Sequence, residues 1–144
     1  MADKIINTFV VQAISAGFQA GNTASIAING HIIDCGLNES RHQRGLHIVI
    51  INPKNGNVKL AKVFDTYKTS ELFDEFITGI PLGYIVAAAC KDDCWTSLTR
   101  AGQAWFLAMG SMEIVNLEYR DGFTFIGILG DRESAHEKRS AEFD

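Results

Sequence analysis

Three charged residues stand where apolar runs of this 144-residue sequence begin or end. Arg44 precedes Gly45 and the dense run Leu46 to Ile51, Asp92 closes the run Gly83 to Cys90, and Arg120 stands beside Asp121-Gly122. An arginine offers five rigid donors and an aspartate accepts from hydroxyls, so together they make a donor-acceptor set for a polar, oxygen-rich ligand. Taken singly, each is an ordinary surface charge or ion-pair partner.

The other reactive residue types do not assemble into a catalytic pattern. A nucleophile needs a neighbouring base, yet no Gly-x-Ser-x-Gly elbow occurs, and His31, His42, His47 and His136 are scattered. Asp92 and Asp93 are adjacent, so on an extended backbone their side chains point apart and do not act as a paired acid and base. Glu71, Asp74 and Glu75 read as the acidic start of a helix, and the stretch Gly17 to Gly21 lacks the lysine and hydroxyl of a phosphate loop. Cys90-Lys91-Asp92-Asp93-Cys94 has neither redox nor zinc spacing. With Cys35 the cysteines number three, an odd count that suits structural thiols in a reducing compartment. No catalytic residue, metal site or cofactor is expected.

Composition sets the frame for these residues. The chain is 47% hydrophobic and 21% charged, with two prolines, which fits one folded domain. A net charge of -4 gives no diffuse basic field, so neither nucleic acid nor an anionic membrane is expected as the main partner. Asn7, Thr8 and Gln12 interrupt the first apolar stretch, and no run approaches the roughly 18 to 20 residues that cross a bilayer. The sequence as written is therefore expected to carry no export signal or membrane span, and to be cytoplasmic or virion-associated.

The elements that must position the charged set follow from pattern and turn chemistry. Ile5 to Ser15 reads as one strand, and Thr23 to Asn29 pairs with His31 to Asp34 across Asn29-Gly30, whose residues tolerate the positive φ of a tight hairpin. Cys35 to Arg44 is a polar loop. Leu46 to Ile51 and Val58 to Phe64 form a second hairpin about Pro53, Asn55 and Gly56. Ser70 is placed to cap a helix with an apolar stripe of Leu72, Phe73, Phe76 and Ile77, ended by Gly79 and Pro81. Gly83 to Cys90 is another strand, and Asp93 caps a helix over Trp95 to Met109. Glu113 to Arg120 and Phe123 to Leu129 make a third hairpin about Asp121-Gly122. Residues 1–130 form the domain, and 131–144 are a charged tail, either a frayed helix or mobile. Hairpins separated by helices indicate α+β, with two antiparallel β-sheets packed face to face and helices alongside.

In this order the motifs resemble a known family. Arg44 to Asn52, Asn55-Gly56-Asn57-Val58, Phe64 to Tyr67, Ile80 to Gly83, Lys91-Asp92-Asp93, Leu107 to Ser111 and Tyr119-Arg120-Asp121 to Gly130 resemble the ILEI/PANDER (interleukin-like EMT inducer, or GG) domain over residues 5 to 130. Arg44 to Tyr67 is similar to the stem domain of protein O-mannose β-1,2-N-acetylglucosaminyltransferase. The resemblance implies the two-sheet fold and a non-catalytic domain. It also implies a lectin-like site for a β-linked N-acetylglucosamine-type sugar at Arg44, Asp92 and Arg120. Beside that implied site, an aromatic, Phe123 or Trp95, is the candidate to cover the apolar face of the sugar. Secreted animal members carry disulfides and a signal peptide, so a bacterial or phage protein, with a tail or receptor-binding role, is the origin expected here. The alternative is a protein-interaction or structural module, with a protein partner or a homo-oligomer, in which the three residues form an internal ion-pair cluster. A third reading is an enzyme acting through Asp92 or Asp93.

Overall fold

A computed structural model describes residues 2–6, 9–38, 41 and 43–144. In chain order the strands are β1 (Ala2–Ile6), β2 (Phe9–Ser15), β3 (Ala24–Ile28), β4 (His31–Ile32), β5 (Gly45–Ile51) and β6 (Val58–Phe64). Helix α1 (Glu71–Ile77), strand β7 (Ile85–Lys91), helix α2 (Arg100–Ala108) and strands β8 (Gly122–Ile128) and β9 (Asp131–Ser140) follow. The strands form two antiparallel sheets, ordered β1-β2-β3-β4 and β6-β5-β7-β8-β9. No helix among the described residues is long and apolar enough to cross a membrane.

The continuous apolar runs occupy the middle of the larger sheet because both of its faces are covered. Successive side chains point to opposite faces. Leu46, Ile48 and Ile50 of β5, Val86 and Ala88 of β7, and Phe123 and Phe125 of β8 therefore enter one core with the helices. Val49, Ile51, Ile85, Ala87, Ala89 and Ile126 enter a second core with Val11, Ala13, Ile26 and Ile28 of the smaller sheet. The first core is built on aromatic edges: Phe106 meets Phe123 and Phe125 at 5.8 and 5.2 Å, and Phe73 meets Phe64 at 5.3 Å.

The hairpins at Asn29-Gly30 and between β5 and β6 form as the turn residues require, with φ of 50° at Asn29 and 80° at Gly30. Five expectations are corrected. The single strand from Ile5 to Ser15 is two, β1 and β2, paired from Ala2↔Ala13 to Ile6↔Phe9. Asn7 and Thr8 lie outside the described residues, as does His42. Helix α2 starts at Arg100, not Trp95, with Thr99 as its cap: the Thr99 hydroxyl accepts from the Gly102 N–H. Residues 113–120 are not a strand but a 3-10 turn, Ile114–Asn116, and loop. The charged tail is not a frayed helix over most of its length: Asp131–Ser140 is β9, bonded along β8. Ser70 does precede α1, but its hydroxyl bonds Asp74 rather than capping the backbone.

Candidate functional site

Arg44 is placed by a close approach of two strands. At Gly45 φ is +114°, and a Cβ there would run into the Phe64 carbonyl, so only glycine lets β5 begin beside the end of β6. That juxtaposition sets the Arg44 guanidinium on Asp65, with Nε to Oδ1 at 2.9 Å and Nη2 to Oδ2 at 2.7 Å. The fork geometry matches a carboxylate, and Cζ stands 4.3 Å from the Tyr67 ring centroid. The Asp65 hydrogen bond holds the guanidinium further above its ordinary pKa, so Arg44 is a fixed positive charge.

Asp92 is placed by the end of β7. Cys90 and Cys94 form a disulfide with Cα atoms 5.7 Å apart, enclosing Lys91, Asp92 and Asp93, which corrects the expectation of free thiols and removes the ground for a reducing compartment. Asp92 takes a positive φ of 63°, and its N–H donates to Asn22 Oδ1 at 2.7 Å. Its neighbour Asp93 is buried and serves a different end. Asp93 Oδ1 accepts from the Arg120 N–H at 2.9 Å and Oδ2 from the Thr96 N–H at 3.0 Å. Asp93 thus does not cap α2; it ties the β7 end to the loop before β8.

That tie places Arg120, whose φ is also 63°. Its guanidinium Cζ lies 3.9 Å from the Phe18 ring centroid and 4.9 Å from that of Tyr119. Nε stands 3.9 Å from Asp92 Oδ1 and Nη1 4.0 Å from Glu142 Oε2. The Nε atom is buried and has no hydrogen-bond partner.

Arg44 and Asp92 line one open recess of about 310 Å³ with Asn22 and Lys91, and Arg120 joins them through Asp92. The three residues converge on one face although 76 positions separate Arg44 from Arg120. The two aromatics do not join them. Phe123 is fully buried between Phe106 and Phe125 and is corrected as a stacking residue. Trp95 is exposed but does not line the recess. Sequence reasoning missed Asn22, Asp65, Lys91 and Phe18, because turns and loops distant in the chain bring them in. Only Phe64-Asp65-Thr66-Tyr67 and Lys91-Asp92 left a trace, as pieces of motifs.

The remaining reactive groups lie elsewhere. His47 is buried, with Nε2 2.6 Å from the Gln43 carbonyl oxygen, and burial lowers its pKa more than that contact raises it. Cys35 is buried, and burial first, then the Asp34 charge, push its thiol up to about 11. Among the described residues no three His, Cys, Asp or Glu side chains are grouped as a metal would need.

A two-sheet domain with helices on one side and a charged, ion-paired face at its strand ends defines the class. The sequence model of the interleukin-like EMT inducer family matches residues 44–131, and the chain belongs to that family. Protein FAM3C of Rattus norvegicus is 34% identical over 88 residues, 60% of this chain and 39% of that protein. Human protein FAM3D is 34% identical over 85 residues, 58% of this chain and 38% of its own length. The human cell migration-inducing and hyaluronan-binding protein is 29% identical over 97 residues, 65% of this chain and 7% of its length. The chain thus spans less than half of each of these relatives. All three are mammalian, and the expected bacterial or phage origin finds no support in them.

Proposed function

We propose that this domain is a non-catalytic protein-interaction module that meets its partner through the face of Arg44, Asp92 and Arg120. The observation that carries this reading is the engagement of the three residues within the molecule: Arg44 is forked on Asp65, and Arg120 lies on Phe18 with Asp92 and Glu142 at its edge. Such a cluster presents a rigid charge pattern to a complementary surface, which sets specificity more than raw affinity. Catalysis through the aspartates is disfavoured because both Asp93 oxygens accept backbone N–H groups and Asp92 faces a guanidinium. Retention of one protein partner by the wild-type domain, and its loss with Asp92→Asn and Arg120→Ala, supports the reading; equal retention by the variants defeats it.

A second reading, binding of a β-linked N-acetylglucosamine-type sugar, is favoured by the recess of about 310 Å³ lined by Asn22, Arg44, Lys91 and Asp92, all polar. One relative is named as hyaluronan-binding. Neutral hydrogen bonds yield about 0.5 to 1.5 kcal/mol each, so a single sugar would bind with micromolar to millimolar affinity. Titration with millimolar N-acetylglucosamine, followed by amide chemical shifts, decides between the readings. Saturable shifts at Asn22, Lys91 and Asp92 favour the sugar, and none favours the protein partner.

A further inference from the structure

The Arg44–Asp65 pair is a wall between two recesses. On one side is the polar recess; on the other is a smaller one of about 180 Å³ between β6 and α1. Its floor is Val63, Phe64 and Phe73, all buried, and its rim includes Leu37 and Leu72, which are 61% and 44% exposed. Two large apolar side chains left in water beside an apolar floor mark a place where another apolar group gains by docking.

Size narrows the occupant. A cavity of roughly 150 Å³ takes one benzene ring, whereas small-molecule sites run from about 300 Å³ upward. The recess therefore suits one leucine- or phenylalanine-sized side chain rather than a whole cofactor or sugar, and a single anchoring side chain is how a peptide binds.

Charge narrows it further. Lys62 and Lys68 line the recess, both exposed and neither in an ion pair with any described residue. Among the described residues the one acid in the lining, Asp65, is already neutralised by Arg44. The acids of α1 do not line it, and Asp74 accepts from Ser70 and Thr99. Lys91 adds a cation in the recess beyond the wall. In a chain of net charge -4, this is a local basic rim around an apolar hole.

We propose that the recess between β6 and α1 docks an acidic peptide segment of a partner protein, seating one leucine- or phenylalanine-sized side chain over Phe64 and Phe73 with flanking carboxylates against Lys62 and Lys68. The proposal rests on the protein-interaction reading and names a second contact for it, separate from Arg120.

The test is an amide-shift titration of the full chain with the peptide acetyl-Glu-Asp-Phe-Glu-Asp-amide. Saturable shifts at Leu37, Thr69 and Leu72 are expected. The alanine-centred peptide, acetyl-Glu-Asp-Ala-Glu-Asp-amide, and the charge-reversed one, acetyl-Lys-Lys-Phe-Lys-Lys-amide, are expected to bind at least tenfold more weakly. Lys62→Glu with Lys68→Glu, and separately Leu72→Glu at an exposed position, are expected to weaken the acidic peptide at least tenfold without loss of fold. Asp92→Asn should leave its affinity unchanged. If all three peptides bind alike, or none shifts the recess, the proposal is overturned. Sedimentation that shows a dimer abolished by Leu72→Glu, with no peptide binding, gives the recess to a second copy and also overturns it. Peptide binding that persists in Asp92→Asn, while that variant retains its protein partner as the wild type does, defeats the Arg120-face reading and leaves this recess standing.

Discussion

Arg120 is the residue at which site and backbone make opposing demands. Its side chain rests on Phe18 and faces Asp92, but its φ of 63° is one that a side chain other than asparagine or aspartate adopts at a cost of roughly 1 to 2 kcal/mol. Arg120→Ala removes the aromatic contact and keeps the strained backbone, so it should destabilise the domain, by about 1 kcal/mol. Arg120→Gly removes the same contact and relieves the backbone, so by denaturant unfolding it should be the more stable of the two, by about 1 kcal/mol. Equal stabilities would show that the positive φ is not enforced. His47 gives a pH dependence. Its pKa is lowered in the folded protein chiefly by burial, so the unfolded chain binds the proton more readily, and stability falls as pH drops below about 6.5. Urea midpoints at pH 7.5 and 5.5 should differ in the wild type and differ less in His47→Gln.

At the scale of elements, the case of β9 shows what pattern reading captures and what it does not. Turn chemistry is local, and so the hairpins at Asn29-Gly30 and between β5 and β6 were legible, as were the apolar runs that became β5 and β7. Strand β9 has almost no apolar side chains to alternate. It is held instead by the β8 ladder, by Ser134, and by Glu137, which accepts from the Ser111 hydroxyl at 2.6 Å and the Met112 N–H at 2.7 Å. Those partners lie 25 or 26 residues away and leave no local signal. The site was legible in the same partial way: Arg44, Asp92 and Arg120 stand at strand ends, but Asp65, Asn22 and Phe18 are joined to them only by topology. A chain truncated after Gly130 should therefore lose dispersed amide signals, since an unpaired β8 would expose its edge. Glu137→Ala should cost roughly 2 kcal/mol, measured by denaturant unfolding, because it strips charged hydrogen bonds from the loop after α2. A midpoint unchanged by Glu137→Ala would show that the ladder alone holds β9.

At the scale of the whole molecule, the Cys90–Cys94 bridge closes a small ring in a domain with two substantial cores. A loop so short restricts the unfolded chain by only about 2 kcal/mol. Replacing both cysteines by alanine should lower the melting temperature by roughly 4 to 8 °C and leave the sheets intact; global unfolding at room temperature would show that the bridge, not the cores, holds the fold. The polarity of β9 has a consequence for molecules at high concentration. It is the outer strand of its sheet, and among the described residues no further strand pairs with its outer edge. Arg132, Glu133, His136 and Lys138, all exposed, make such stacking unfavourable by repulsion and by the desolvation of charge. The feature that concealed the strand from its sequence is thus a guard against edge-to-edge aggregation. Replacing Arg132, His136 and Lys138 by valine would make β9 easy to recognise as a strand and, by light scattering at increasing concentration, prone to form polymers that the native chain does not.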